Sequence, residues 1–164
     1  MKTALIWVLV GAALLALLLL VAGQLGLLQG KRPGHLGVKD GRLKAPSRTP
    51  NSVSSQAHLH ADHAQLEYAR IDALPLHGSD AKASIAALRK LIEPMRGATV
   101  IEQRDDYLLA EFSTPLLRFV DDVEFWADPA AGLIQVRSSS RLGHKDFGVN
   151  RARIERIRAA WGPG

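Results

Sequence analysis

One uninterrupted apolar run near the start of the chain constrains the fold more than any other feature. Residues 4–22 read ALIWVLVGAALLALLLLVA, without a single charged side chain. A helix of this length spans roughly 28 Å, close to the hydrocarbon thickness of about 30 Å. The run is longer than the apolar core of a typical signal peptide, and the chain has no cysteine to carry a lipid after it. We therefore predict a single uncleaved membrane span, with bilayer contact over residues 4–28.

The segment after this run is rich in glycine, proline and basic residues and has no apolar period. It predicts a flexible linker over residues 30–50, between an anchor at 1–29 and a soluble domain at 51–164. Its basic side chains favour a cytoplasmic domain by the positive-inside rule, because only Asp40 opposes them. We also expect some of them to contact anionic lipid, namely Lys31, Arg32, Lys39, Arg42 and Lys44.

Small residues at four-residue spacing mark the end of the apolar run. Ala22, Gly26 and Gly30 would share one side of a continuing helix. A small-xxx-small face of this kind lets two membrane helices approach closely. It supports an alternative role for the chain as a structural subunit that assembles through its span.

The soluble part shows an alternation of helix and strand signals. Ser79 and Asp80 precede an apolar stripe of helical spacing, and Asn150 precedes a second stripe that ends at Trp161. Between them lie four runs with strand character, at residues 99–103, 107–113, 117–127 and 133–142, and a weaker one lies within 66–72. Strands joined by short turns without intervening helices predict an antiparallel meander. The expected fold class is α+β: two layers, the meander sheet and two helices, behind the transmembrane helix.

The register of the last predicted hairpin follows from matching side-chain faces. Pairing Asp128 with Leu133 sets Phe125 opposite Val136, whereas a slip of one residue would mix charge into the core. This register gathers polar side chains on one face of the sheet: Asp122, Glu124, Arg137, Ser139 and Arg141. That face is the main candidate ligand-binding surface.

Two arginines at the start of the last helix extend the candidate site. Arg151 and Arg153 lie in the first turn, where the helix dipole disfavours cations, so a negative group should offset them. One alternative is a structural ion-pair network with Asp146, Asp122 and Glu124. The other is a bound anion held by the helix amides together with Arg137 or Arg141. The acidic excess of residues 51–136 and the basic excess of 137–164 favour the network, and Asn150 and Arg151 complete the candidate set.

The remaining motifs give little support to catalysis or to a cofactor. The chain has no G-x-S-x-G, no phosphate-binding glycine loop and no H-E-x-x-H. His58, His60 and His63 with Asp62 lack the convergent spacing of a zinc site and are typical of a surface loop. We therefore expect no metal and no cofactor. Nor do we expect a nucleic-acid partner. Proteins that bind nucleic acids usually present a broad basic face with interleaved aromatic side chains, and the net charge of +5 does not indicate such a face here.

Three segments resemble the domain of unknown function 1499 family, whose members are small bacterial envelope and plastid proteins. They are TPNSVSSQA (Thr49–Ala57), RFVDDVEFWADPAAGLIQVRSSSR (Arg118–Arg141) and GHKDFGVNRARIERIR (Gly143–Arg158), with LGVKDGRLKAP (Leu36–Pro46) as their approach. The resemblance implies an α+β domain behind a membrane anchor or lipoprotein signal, without an established activity.

The chain departs from the family pattern in its lack of cysteine. Many members of the family look as if they carry a pair of cysteines, one at the position of Ser52 and the other near Pro46, and neither residue is cysteine here. A disulfide in those relatives would imply an oxidising compartment and therefore an extracytoplasmic domain. The resemblance thus favours a periplasmic domain on a bacterial cytoplasmic membrane, whereas the basic flank favours the cytoplasmic orientation.

The sequence as a whole favours a non-enzymatic, membrane-anchored envelope protein, a binding or accessory module for a partner or a small anionic ligand. One alternative is a hydrolase-type enzyme that uses Asp122, Glu124 and the arginine cluster. The other is the structural subunit of a membrane complex described above. No catalytic residue is assigned.

Overall fold

The N-terminal run forms one long helix in a computed structural model that describes residues 1–163. This helix is α1 (Lys2–Gln24), and its most apolar 18-residue window has a mean hydropathy of 3.0 and is not buried against the rest of the chain. It is long and apolar enough to cross a membrane. Gly26 and Gly30 have φ of +78° and +68° and lie beyond the end of α1. The predicted helical face of Ala22, Gly26 and Gly30 is therefore wrong.

The rest of the chain folds into an α+β domain, as predicted. Its elements in chain order are β1 (Ser52–Ser54), α2 (Leu66–Ala69), β2 (Leu74–Pro75), α3 (Ala81–Ile92), β3 (Ala98–Gln103), β4 (Tyr107–Ser113), β5 (Val120–Asp128), β6 (Leu133–Ser140) and α4 (Val149–Trp161). The strands form one sheet in the order β1-β6-β5-β4-β3, and β2 also pairs with β6. The meander β3 to β6 and the two main helices are thus confirmed.

Two local predictions are wrong. Residues 66–69 form the single helical turn α2 instead of a strand. Asn150 is not the cap of α4, which starts one residue earlier, at Val149, after Gly148 in the left-handed conformation. The Asp146 carboxylate caps the helix instead, because it accepts hydrogen bonds from the backbone amides of Gly148 and Asn150.

The predicted register of the last hairpin is confirmed residue by residue. Asp128 pairs with Leu133, Phe125 with Val136 and Glu124 with Arg137, all antiparallel. The side chains of β5 therefore alternate between the two faces of the sheet. Every residue of this strand from Val120 to Phe125 is buried, so both faces are covered.

The main hydrophobic core lies on the face that α3 and α4 cover. Ile85 and Leu88 of α3 pack with Ile154 and Ile157 of α4 over the sheet, and all four are fully buried. Burial of side chains of this size contributes roughly 1.5–3 kcal/mol each, so this layer supplies most of the apolar stabilisation.

The opposite face is covered by chain that we predicted to be a linker. Leu43 is buried against Tyr107 and Leu109, and Leu36, Val38 and Trp126 pack around them. Gln56 holds this segment in place: its side chain donates to the carbonyl of Gly41 at 3.0 Å and accepts from the amide of Leu43 at 2.8 Å. Residues 36–43 thus form a lid over the polar face of the sheet.

Candidate functional site

The five polar side chains predicted on one sheet face do lie together there, under the lid. Asp122, Glu124, Arg137 and Ser139 are buried, and the Arg141 side chain is only 6% exposed. The sheet register places Glu124 directly across from Arg137 and Asp122 across from Ser139. The face is therefore polar in composition and closed to solvent.

Glu124 and Arg137 form a buried ion pair at the centre of this face. Arg137 Nη1 donates to Glu124 Oε2 at 3.0 Å, and the two side chains are 3% and 0% exposed. The other carboxylate oxygen accepts from the amide of Gly37 at 2.7 Å and from the Tyr107 hydroxyl at 2.9 Å. Burial, together with the adjacent Glu124 carboxylate, raises the pKa of Tyr107, so the phenol stays a proton donor.

Arg141 resolves a second electrostatic problem on the same face. Glu111 and Asp122 are cross-strand neighbours, and two carboxylates in such positions repel each other. Arg141 donates to Asp122 at 2.6 and 2.9 Å and also to Glu111. Arg32 pairs with Glu111 from the lid side. Burial alone would raise the pKa of Glu111, but the hydrogen bonds from Arg32 and Arg141 lower it.

Asn150 and Arg151 lie on the other side of the sheet. The Asn150 side chain is fully buried and donates to the carbonyl of Asn51 and to Ser140. Arg151 donates to the carbonyls of Tyr68 and Arg70 at 2.7 and 2.8 Å. The candidate set is thus divided between two faces, and the sheet separates the first turn of α4 from Arg137 and Arg141.

Arg153, in the second turn of α4, is paired with a carboxylate of the domain itself. It pairs with Asp121 of β5 on the helix-covered face, and it also donates to Ser138 and Asn150. Asp121 lies on the same face of β5 as Val123 and Phe125 of the hydrophobic core. Asp146 completes the polar cluster: burial by itself would raise its pKa, but hydrogen bonds from Tyr68 and Asn150 lower it.

Three further arginines differ from Arg137, Arg141 and Arg153 because their guanidinium groups are exposed to solvent. Arg96, Arg118 and Arg156 are exposed, and no carboxylate within residues 1–163 lies within 4.0 Å of any of them. Arg96 and Arg156 line a cleft of about 450 Å³ together with Arg153, and Arg96 and Arg118 line an adjoining one of about 260 Å³. Thr114 borders both. We call these four arginines with Thr114 the arginine cleft.

Sequence reasoning missed the arginine cleft because its members come from three separate elements. Arg96 follows α3, Arg118 lies in the loop after β4, and Arg156 lies on α4. The available signal was the three-residue spacing of Arg153 and Arg156, which places both on one side of a helix. It could not indicate the loop arginine that joins them.

Two of the basic residues predicted to contact lipid have partners for their side chains within the protein. Arg32 pairs with Glu111, and Lys44 donates to the carbonyl of Gly34 at 3.0 Å. Lys39 and Arg42 close a tight antiparallel turn, and Lys31 is exposed. The lipid contact itself stays a prediction.

The histidine segment forms local turns. His58 Nδ1 lies 3.1 Å from the carbonyl of Ser55, and His63 Nδ1 accepts from the amide of Gln65. Within residues 1–163, no group of three or more histidine, cysteine, aspartate or glutamate side chains is arranged to hold a metal ion.

The family segments converge in space at the end of β6. Asn51, from TPNSVSSQA, donates to the carbonyl of Gly143, and its own carbonyl accepts from Asn150. A family model described as "Protein of unknown function (DUF1499)" matches residues 42–161. No curated protein matches the chain. No solved structure matches it either.

Proposed function

The chain belongs to the DUF1499 family of unknown function, and on that premise we propose that it is a membrane-anchored, non-enzymatic module that binds a small anionic group in the arginine cleft. The helix α1 serves as the single-span anchor. The observation that carries the proposal is the cluster of three exposed arginines that line two adjoining clefts and have no carboxylate partner within residues 1–163.

The charge arrangement supports an anion as the ligand. The buried arginines of the polar sheet face are neutralised, Arg137 by Glu124 and Arg141 by Asp122. Like charges held together without counter-charge repel each other, and an anion would relieve that repulsion. Guanidinium groups also match the geometry of phosphate and carboxylate oxygens.

The cleft offers a hydroxyl beside the arginines. The Thr114 hydroxyl accepts a hydrogen bond from the amide of Phe119 at 3.0 Å, which leaves its own hydrogen free to donate to an anion. Arg153 adds a guanidinium whose position is fixed by Asp121. A small tetrahedral or planar anion suits such a set of donors.

The two alternatives have less support. A hydrolase that used Asp122 and Glu124 would need substrate to reach carboxylates that are 1% and 0% exposed and already ion-paired. A structural subunit that assembles through the span would lack the glycine face, because Gly26 and Gly30 lie beyond α1.

Isothermal titration of the full chain in nonionic detergent with inorganic phosphate tests the proposal. We expect saturable binding by the wild type and its loss in the double variant Arg96→Gln/Arg118→Gln. The matched control is Lys82→Gln/Lys90→Gln, which removes the same charge from exposed positions of α3 outside the cleft. Equal binding by both double variants, or none by the wild type, would refute the cleft as an anion site.

We further propose that the domain is periplasmic. The support is the family resemblance to members with a cysteine pair: Ser52 accepts a hydrogen bond from the amide of Ser47, which directly follows Pro46, at 2.7 Å. Fusions of alkaline phosphatase and of a cytoplasm-only fluorescent protein after Gly164 test the orientation. Phosphatase activity without fluorescence is expected, and the reverse result would place the domain in the cytoplasm.

A further inference from the structure

The end of α1 and the loop between β4 and β5 are in direct contact. Gln24, the last residue of α1, donates its side-chain amide to the carbonyl of Leu116 at 2.9 Å. Gly23 packs so closely on Leu117 that a Cβ there would lie 2.7 Å from the Leu117 carbonyl oxygen. The loop therefore lies at the level where the apolar helix ends.

Large apolar side chains are exposed around that same level. Leu116 is 69% exposed and Phe147, in the loop before α4, is 92% exposed. Together with three neighbours they form what we call the apolar rim: Leu116, Phe119, Leu142, Phe147 and Val149. An exposed cluster of this kind in a folded domain marks a binding surface.

The rim is continuous and not a scatter of single residues. Phe119, Leu142, Phe147 and Val149 line one groove of about 250 Å³, and Leu116 and Phe119 line a second one next to it. Leu142 also contacts the chain just beyond α1, because a Cβ on Gly30 would lie 2.9 Å from it. The rim thus extends outward from the end of α1.

Basic side chains border the rim. Arg96 lines the groove of Leu116, and Lys145 lines the groove of Phe147. The two carboxylates at the groove of Phe147 are Asp121 and Asp146, which are engaged with Arg153 and Asn150 respectively. An apolar centre with a basic border is the pattern of surfaces that insert into the interface of a bilayer.

We propose that the apolar rim is a second membrane contact, which inserts into the same bilayer that α1 crosses and holds the domain flat against it. The inserted side chains reach about 5–10 Å into the headgroup and acyl boundary. Arg96 and Lys145 then lie at the level of the lipid phosphates. The inference rests on α1 being the anchor, as proposed above, and does not depend on anion binding in the arginine cleft.

The absence of cysteine makes a direct test simple, because any introduced cysteine is the sole labelling site. The full chain is reconstituted in phosphatidylcholine vesicles with a nitroxide at one position. The variants are Phe147→Cys and Leu116→Cys for the rim, Leu14→Cys for the centre of α1, and Lys82→Cys for a remote exposed site. Collision with oxygen, which concentrates in lipid, is compared with collision with a water-soluble nickel chelate.

We expect an oxygen-to-nickel ratio at Phe147 and Leu116 that is several-fold above that at Lys82 and below that at Leu14. A high ratio at Leu14 with a ratio at Phe147 equal to that at Lys82 would overturn the rim contact and leave the anchor intact. A low ratio at Leu14 would refute the anchor, and with it the rim contact. Loss of collision with both reagents at Phe147 would indicate a protein partner or a second copy and would also overturn the proposal.

Two further variants separate lipid insertion from folding and from anion binding. With the label at Val149→Cys, the change Phe147→Asp should lower the ratio towards the value at Lys82 without loss of the folded circular dichroism spectrum. The change Arg156→Gln, which removes a charge from the arginine cleft but from neither groove of the rim, should leave the ratio in phosphatidylcholine unchanged. An unchanged ratio in Phe147→Asp would contradict insertion of the rim.

Discussion

The buried arginines that pair with the sheet and the exposed arginines of the arginine cleft have the same chemistry and opposite surroundings, and Arg153 is a buried arginine that also lines the cleft. Arg137, Arg141 and Arg153 are buried or nearly so, and each donates to a carboxylate of the sheet. Arg96, Arg118 and Arg156 are exposed, line two adjoining clefts and have no such partner in the part of the chain from residue 1 to residue 163. The first group has a structural role, because a buried charge is strongly destabilising unless it is paired. The second group does nothing for the fold that we can identify, which is why we assign it to binding.

The two faces of the sheet also differ in where their ion pairs lie. On the helix-covered face, one ion pair lies at the end of an otherwise apolar core. On the lid-covered face, the ion pairs occupy the centre, and the lid supplies the backbone amide of Gly37 as a partner. The lid is therefore held by polar contacts with the sheet as well as by the apolar contacts of Leu43.

The largest effect should follow from removal of one buried arginine. Arg137→Ala leaves Glu124 buried without its cation, and such a change costs about 3–5 kcal/mol. The free energy of unfolding is measured by urea titration of the full chain in nonionic detergent. The matched variant is Arg156→Ala, which should change it by less than about 0.5 kcal/mol.

A double replacement shows whether the loss arises from the uncompensated charge. In Glu124→Gln/Arg137→Met the amide oxygen can still accept from Gly37 and Tyr107, and neither of the two replaced positions carries a buried charge. We expect stability within about 1–2 kcal/mol of the wild type. A double variant as unstable as Arg137→Ala would mean that the loss of stability arises from lost side-chain packing and hydrogen bonds and not from an uncompensated buried charge.

Loss of the buried amide on the helix-covered face should have the next largest effect. Asn150→Ala removes the donor to the carbonyl of Asn51 and the partner of Ser138. Buried groups left without partners cost roughly 1–3 kcal/mol. The control is Arg151→Ala, whose side chain donates to loop carbonyls near the surface. Equal unfolding midpoints in the two variants would contradict a central role for Asn150.

The sequence alone predicted those parts of the fold that follow from periodicity and face matching. The register from Asp121 to Asp128 could be derived because a slip would have set Val123 against Arg137. It also correctly placed Glu124 and Arg137 opposite each other. These are local properties of a hairpin, and each strand carries the information that its partner needs.

The sequence could not show which face each helix and loop would cover. The lid segment reads as a solvated linker, because its few apolar residues are held by Gln56 and Tyr107, which are distant in sequence. The sequence also places Asn150 and Arg151 in one candidate site with Arg137 and Arg141, although the sheet separates the two pairs in the structure. Long-range placement of polar residues depends on three-dimensional packing, which no local period records.

A smaller effect should appear in acid, at the junction of the lid and the sheet. The pKa of Glu111 is lowered in the folded protein, because the hydrogen bonds from Arg32 and Arg141 outweigh the effect of burial. Its contribution is therefore present above the pKa of the unfolded chain, near 4.5, and is lost as the pH falls through the lower folded value. Glu111→Gln should lose about 0.5–1 kcal/mol at pH 7, since the pair is partly exposed.

The pH dependence distinguishes this loss from a packing defect. Urea titrations at pH 7 and at pH values below 4.5 should show the gap between the wild type and Glu111→Gln close in acid. Lys82→Gln, which breaks an exposed pair with Asp105, serves as the control and should show almost no gap at either pH. A gap for Glu111→Gln that persists unchanged in acid would contradict the electrostatic account.

The smallest effect on stability is expected in the arginine cleft, and its sign is the informative part. Arg118→Gln removes one of several like charges without breaking an ion pair, so at low salt the free energy of unfolding should rise by a few tenths of a kcal/mol. The gain should shrink at about 0.15 M salt, where the screening length is about 8 Å. Inorganic phosphate should stabilise the wild type and not Arg96→Gln/Arg118→Gln, because only a ligand of the folded state shifts the unfolding midpoint. A loss of more than about 1 kcal/mol in Arg118→Gln would mean that this arginine supports the fold after all, and the contrast between the two groups of arginines would no longer hold.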